Sequence, residues 1–254
     1  MSNLDYKEVE QSLKNWLTNK VNKAGADGAV VGISGGIDSA VTSVLCKKVF
    51  GEDTLGVILP CISNKEDRKD AEMLAEEFDI NYKIKDLSDL YQNFVMTLKD
   101  SDNEGDSSSS DSDQMALANI KPRLRMITLY YYAAKNNYLV IGTDNWSELK
   151  VGYFTKYGDG GVDLAPLGRL VKTEVRDLAK HLGIPEKIIN KKPSAGLWQG
   201  QTDENELGVS YQELDHYILT GEADKNVRER IDELAEKNAH KTESIPIPSR
   251  QTLV

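Results

Sequence analysis

The chain predicts an α/β fold in which a doubly wound parallel sheet is flanked by helices, and three observations lead there. An apolar run, Ala29-Val30-Val31, enters the string Gly32-Ile33-Ser34-Gly35-Gly36-Ile37-Asp38-Ser39, and a second run, Ala40-Val41-Thr42-Ser43-Val44-Leu45, leaves it. The first run reads as a buried strand and the second as the opening turns of a helix. Strand-like and helix-like segments then alternate, which is the pattern of a parallel sheet covered on both faces. Finally, 254 residues with 39% hydrophobic content supply one domain, residues 1–254, with a sizeable core.

The elements follow in order. Val9, Leu13, Trp16, Leu17 and Val21 recur at helical spacing within residues 1–24, so an amphipathic helix is expected there. That segment carries neither the apolar core of a signal peptide nor a membrane span. After the glycine-rich string, Thr54–Pro60 reads as a second strand and Lys65–Phe78 as a helix capped by Asn64 or Ser63, with Glu66 and Asp67 in its first turn. Ile80–Ile84 is a third strand and Leu87–Leu98 a helix. Residues 100–113 then hold six acidic residues, six serines and no basic residue, too little apolar surface to offset ordering entropy, so a mobile acidic insertion is expected. Apolar residues return from Met115 to Lys135, with Asn119 and Pro122 suiting a helix start. The apolar face there is broad enough to meet either the core or a second subunit. Tyr138–Ile141 is a fourth strand. Lys172–Leu182 reads as a helix capped by Thr173, and two more helices are expected near Tyr211–Leu219 and Ala223–Ala239.

Composition narrows the function. A net charge of −10 lacks the basic footprint of a nucleic-acid binder, although a local field still suits an anionic small molecule. Cys46 and Cys61 fit no metal spacing and no disulfide framework, which suits a reducing cytoplasm.

The glycine-rich string carries the chemistry. A strand, a glycine turn and a helix start gather backbone N–H groups and a positive helix end at one spot, a setting for an anion. Gly35 and Gly36 permit φ > 0 and close approach of a ligand; Ser34 and Ser39 add hydroxyls, and Asp38 adds a carboxylate suited to Mg²⁺. No lysine follows the glycines, so this is neither the common nucleotide loop nor the dinucleotide fingerprint. Three further stretches concentrate polar groups: Gly142-Thr143-Asp144-Asn145-Trp146-Ser147-Glu148 at a strand end; Phe154-Thr155-Lys156-Tyr157-Gly158-Asp159-Gly160-Gly161-Val162-Asp163; and residues 193–204, a long loop that suggests a lid. By composition alone the second of these is a tight loop.

The string S-G-G-x-D-S resembles the pyrophosphate loop of the N-type ATP pyrophosphatases, enzymes of Rossmann-like fold that adenylate a substrate. With Asn119-Ile120-Lys121-Pro122-Arg123-Leu124-Arg125-Met126, Gly142-Thr143-Asp144, the string F-T-K-Y-G-D-G-G and the terminal His240-Lys241, all in the expected order, the chain resembles the ammonia-dependent NAD⁺ synthetases from about residue 10 to 245. The resemblance implies that the nicotinate carboxylate of deamido-NAD⁺ attacks the α-phosphorus of ATP, releasing pyrophosphate. Ammonia then displaces AMP to give NAD⁺. It assigns Gly32, Ile33, Ser34, Gly35, Gly36, Ile37, Asp38 and Ser39 to ATP, together with Thr143, Lys172 and Ser194, where the family often has Thr in place of Ser194. Asp38 and Glu148 are to ligate Mg²⁺, and Arg123, Lys156, Asp163, His240 and Lys241 are to contact deamido-NAD⁺. Asp38, Asp159 and Lys172 are the expected catalytic residues, Asp159 by holding ammonium and accepting its proton. A turn cap is the plainer alternative for Asp159. Gly56–Leu59 resembles the backbone strand that meets adenine. The resemblance further implies a homodimer, while the lack of an apolar span and the acidic charge point to no membrane and no nucleic-acid partner. GMP synthetase, argininosuccinate synthetase and the tRNA thiolases share the loop, but F-T-K-Y-G-D-G-G does not resemble the first, and thiolases need RNA contact that an acidic chain disfavours. A nucleotide-binding module without chemistry would not need Asp38 and Glu148.

Overall fold

A computed structural model describes residues 4–101, 111–194, 196 and 202–253. Its centre is a four-stranded sheet of β1 (Gly28–Gly32), β2 (Thr54–Ile58), β3 (Asn81–Ile84) and β4 (Tyr138–Ile141), in spatial order β3-β2-β1-β4. All pairings are parallel, with Val30 opposite Leu55 on one side and opposite Val140 on the other. The chain steps outward from β1 to β2 to β3, then returns to place β4 on the far side of β1. Between the carboxyl ends of β1 and β4 the winding therefore reverses, which is where doubly wound sheets leave a crevice.

Alternation along β1 sorts the two faces. Ala29 and Val31 join α1 (Tyr6–Ala24), α2 (Ile37–Phe50), α3 (Lys65–Glu77) and α8 (Lys172–Leu182) in one buried cluster, with Leu17, Leu45, Leu74 and Leu178 fully buried. Val30 points the other way, with Val57, Tyr132, Ala133 and Val140, toward α4 (Ser88–Ser101) and α6 (Ile120–Asn136). α5 (Asp111–Ala118) precedes α6. A third cluster joins α7 (Trp146–Val151), α10 (Asp203–Leu207), α11 (Tyr211–Thr220) and α12 (Lys225–Asn238) around Tyr211, Leu214 and Ile231; the short α9 (Glu186–Ile189) follows α8.

Most expected elements appear within two residues of their predicted bounds, and the departures are local. Asn64, not Ser63, caps α3 by accepting from Glu66 N–H at 3.1 Å. Thr173 does not cap α8. Val171 holds that position with its N–H bonded to Glu174, while Lys172 N–H donates to Ser147 and Thr173 N–H to Asp215, so tertiary partners satisfy the orphan donors. The helix expected to start at Asn119 and Pro122 does begin at Ile120, directly after Asn119, whose side chain accepts from Thr155 Oγ1 at 2.8 Å. Within the stretch expected as an acidic insertion, α4 runs to Ser101 and α5 begins at Asp111; residues 102–110 lie outside the described residues. Half of the lid expected over 193–204 also lies outside them, at 195 and 197–201, and α10 takes its last two residues. Among the described residues, no helix is long and apolar enough to cross a membrane.

Candidate active site

β1 ends at Gly32 and α2 starts at Ile37, leaving a tight turn between them. Gly35 sits at φ +79°, and a Cβ there would lie 2.2 Å from the Asp67 carbonyl oxygen, so only glycine fits. The two serines lock the turn. Gly36 N–H donates to Ser34 Oγ at 3.2 Å, and Ser39 Oγ donates to the Gly36 carbonyl at 2.9 Å. Because that uses the one Ser39 proton, the 3.0 Å contact between the hydroxyls has Ser34 donating. Ser34 N–H also reaches Ser39 Oγ, at 3.1 Å.

Asp38 lies in the first turn of α2, facing residues that follow β4. Asn145 caps α7 and orients two carboxylates together: its amide donates to Asp38 Oδ1 at 2.9 Å, its side-chain oxygen accepts from Glu148 N–H, and its own N–H donates to Glu148 Oε2. Lys172, 2% exposed, brings its ammonium 2.6 Å from Asp38 and 3.1 Å from Glu148. Its Nζ also stands 4.9 Å from the centre of the Tyr211 ring. The Tyr211 hydroxyl lies 3.3 Å from Glu148 and 3.0 Å from Asp203, and Asp203 accepts from Tyr153 as well.

Charge in this crowded place is controlled by burial. Burial raises the Glu148 carboxyl, and Lys172 only partly offsets it, leaving it pushed up to about 7. Burial opposes the Lys172 charge, but Asp38 and Glu148 more than compensate, so the ammonium persists above the usual lysine range. Asp144, almost buried, is raised well above the usual range by burial and then by Asp159, Glu148 and Asp38. Burial also raises Asp159, against the lowering effect of the Thr155 N–H that it accepts at 2.8 Å.

The donor set fits a hard cation. Two carboxylates, from Asp38 and Glu148, converge on one ammonium, and among the described residues no three His, Cys, Asp or Glu side chains surround a common point. Mg²⁺ is commonly held by one or two carboxylates, with water and phosphate oxygens completing its shell.

The second group forms around the glycine-rich turn after α7. Arg123 donates to the Lys156 carbonyl at 3.3 Å, Lys156 donates to the His240 carbonyl, and Lys241 donates to the Gly152 and Phe154 carbonyls at 2.7 and 2.9 Å. A Cβ on Gly160 would meet the Phe154 ring at 2.4 Å, which accounts for a glycine in that turn. Asp163 stands apart from this group, accepting from Val140 N–H at 2.8 Å and Tyr130 O–H at 3.1 Å. Thr143 lies in the loop between β4 and α7, while the exposed Ser194 accepts from Gly196 N–H. The structure thus gathers Ser34–Ser39, Asp38, Glu148 and Lys172 at one crevice and Arg123, Lys156, His240 and Lys241 at another cluster. The sequence assigns no individual role to Asn145, Tyr211 or Asp203, although Asn145 lies in the polar stretch after β4 at capping-box spacing ahead of Glu148 and Asp203 in the expected lid.

The family model described as NAD synthase matches residues 9–246. The chain belongs to the NAD synthase family. A relative in this family, the NH(3)-dependent NAD(+) synthetase of Carboxydothermus hydrogenoformans, is 50% identical over 96% of this chain and 98% of its own length. Among solved structures, an NMN synthetase from Francisella tularensis superposes with a TM-score of 0.89 at 39% identity, covering 97% of this chain and 99% of that one. An NH3-dependent NAD synthetase from Campylobacter jejuni gives 0.77 at 31% identity, covering 97% and 100%. Membership of the NAD synthase family agrees with the α/β fold expected from the sequence.

Proposed function

We propose that this chain is an ammonia-dependent NAD⁺ synthetase that amidates deamido-NAD⁺ at the expense of ATP, with release of AMP and pyrophosphate. The observation that carries this reading is the convergence of a glycine–serine anion turn, two carboxylates and one buried ammonium at the winding reversal of the sheet. A carboxylate is a poor electrophile, so it must be activated before ammonia attacks. In the proposed route the nicotinate oxygen attacks the α-phosphorus, pyrophosphate leaves, and ammonia displaces AMP from the acyl carbon.

The chain's own groups suit this route. The turn from Gly32 to Ser39 offers N–H and hydroxyl donors to the departing pyrophosphate, and Lys172 offers fixed positive charge where negative charge builds up. Thr143 and Ser194 supply further hydroxyls for ATP. Asp38 and Glu148 would hold Mg²⁺, which would neutralise phosphate charge. Arg123, Lys156, Asp163, His240 and Lys241 are proposed to receive the dinucleotide; Lys156 and Lys241 would exchange backbone carbonyl partners for it. Asp159, beside Arg125 and Lys241, is proposed to hold ammonium and take its proton, since only neutral ammonia has the lone pair to attack. We further propose one domain and a homodimer. Support for the dimer is the exposed apolar set Leu90, Phe94, Met96, Ile127 and Tyr131 on α4 and α6. The two free, buried cysteines suit a reducing cytoplasm.

One observation favours a second substrate: the Francisella structure with TM-score 0.89 is an NMN synthetase. The mononucleotide carries the same nicotinate carboxylate and would use the same adenylation. Purified protein with ATP, Mg²⁺ and ammonium is therefore offered deamido-NAD⁺ and nicotinate mononucleotide in competition. The dinucleotide reading expects NAD⁺ as the dominant amide; dominant NMN would replace it with the mononucleotide reading.

A further inference from the structure

We infer that Lys191 is a positioning residue for the pyrophosphate turn, gripping the Gly35 carbonyl so that the Gly35–Gly36 peptide presents Ser34 and Ser39 in their ligand-ready arrangement. This rests on the reading of the turn as the ATP site.

The side chain makes three contacts at once. Lys191 Nζ lies 3.2 Å from the Gly35 carbonyl oxygen, 2.7 Å from Asp67 and 2.7 Å from Asp70. Asp67 and Asp70 belong to α3, whose backbone already crowds Gly35 so closely that no Cβ fits there. One ammonium therefore ties the turn to a helix that does not otherwise take part in the site. Across a planar peptide the carbonyl and the following N–H point in opposite directions. Fixing the Gly35 carbonyl on Lys191 thus aims Gly36 N–H at Ser34 Oγ, the first link in the cycle Gly36 N–H, Ser34 O–H, Ser39 O–H and Gly36 carbonyl. Two consecutive glycines give this peptide little intrinsic preference for one orientation, so an external grip is what selects it. Lys191 also lies three residues before Ser194, so the same side chain joins the turn to the segment carrying a proposed ATP hydroxyl.

The fold does not depend on Lys191 alone, which makes the idea separable from general stability. Asp70 keeps a second cation, with Lys187 at 2.5 Å. The test compares wild type, K191M, K191R and D67N in steady-state kinetics with ATP and deamido-NAD⁺ varied separately, alongside pyrophosphate inhibition and thermal unfolding. Loss of a charge-assisted bond to the turn predicts that K191M raises KM for ATP and Ki for pyrophosphate together, by about tenfold. KM for deamido-NAD⁺ stays near wild type. K191R recovers most of the loss, and D67N, which keeps the grip on Gly35, stays close to wild type. If K191M does not fold, K191Q, which keeps a polar chain without the charge, must show the same rise. A K191M enzyme with lowered Tm but unchanged KM for ATP, or with both KM values raised alike, overturns the inference and leaves an ordinary ion pair. Absence of pyrophosphate release by wild type defeats the ATP-site reading instead, so the two failures are distinct.

Discussion

Lys172 and Asp38, 134 residues apart in sequence, meet in a 2.6 Å ion pair at the glycine–serine turn. The ammonium is buried and Glu148 shares it, so its removal leaves two carboxylates facing each other in a poorly hydrated place. Breaking a buried pair by deleting one partner costs roughly 3–5 kcal/mol. Lys172→Met is expected to lower Tm and to cut pyrophosphate release by at least about 100-fold, the scale set by loss of one transition-state donor. Added Mg²⁺ should restore more Tm to this variant than to wild type, because the cation replaces the missing charge. Calorimetry with and without Mg²⁺ checks the first part and a pyrophosphate assay the second.

Glu148 supplies a pH dependence whose sign is fixed. Its carboxyl rises from an ordinary 4.5 to about 7 in the folded chain, chiefly through burial. The folded state therefore holds a proton that the unfolded state releases, a contribution to stability that is complete below about pH 4.5 and lost as pH climbs to about 7. Metal-free protein should lose Tm across that window through this group, and Glu148→Gln should flatten the slope. Mg²⁺ competes with the same proton, so its apparent affinity should rise with pH up to about 7 and its binding should release protons, measurable by titration calorimetry in buffers of different ionisation enthalpy. A slope unchanged in the Gln variant would remove Glu148 from this role.

Asp159 separates two roles in one substitution. Asn at this position still accepts from Thr155 N–H, so a residue that only caps the turn would leave Asp159→Asn near wild-type activity. As proton acceptor for ammonium its loss should lower NAD⁺ formation by about 10²- to 10⁴-fold, the usual range for general-base removal. In the proposed route adenylation precedes ammonia attack, so exchange of labelled pyrophosphate into ATP should survive. Near-normal NAD⁺ formation would return Asp159 to turn capping.

How much of this was legible beforehand follows from distance along the chain. The strand, turn and helix around Ser34–Ser39 were readable because glycine spacing and the flanking apolar runs are local facts. β1, β2 and β4 were readable because parallel strands covered on both faces are short and mostly apolar, whereas β3, at the sheet edge, alternates exposed and half-buried residues. Asn145's hold on Asp38 spans 107 residues, Tyr211's contact with Glu148 spans 63, and Lys191's grip on Gly35 spans 156. No periodicity encodes such pairings; they exist only once β4 crosses beside β1. The expected cap at Thr173 failed for the same reason: Ser147 and Asp215 arrive from elsewhere and outcompete a local choice.

The central claim is that a nicotinate oxygen bonds to the α-phosphorus of ATP. Deamido-NAD⁺ labelled with ¹⁸O in its carboxylate tests it directly, with the protein, ATP, Mg²⁺ and ammonium, and mass spectrometry of every phosphate-bearing product. Attack at that atom, followed by ammonia at the acyl carbon, leaves one labelled oxygen on AMP and none on pyrophosphate. Unlabelled AMP, or ADP with label in orthophosphate, would contradict the account.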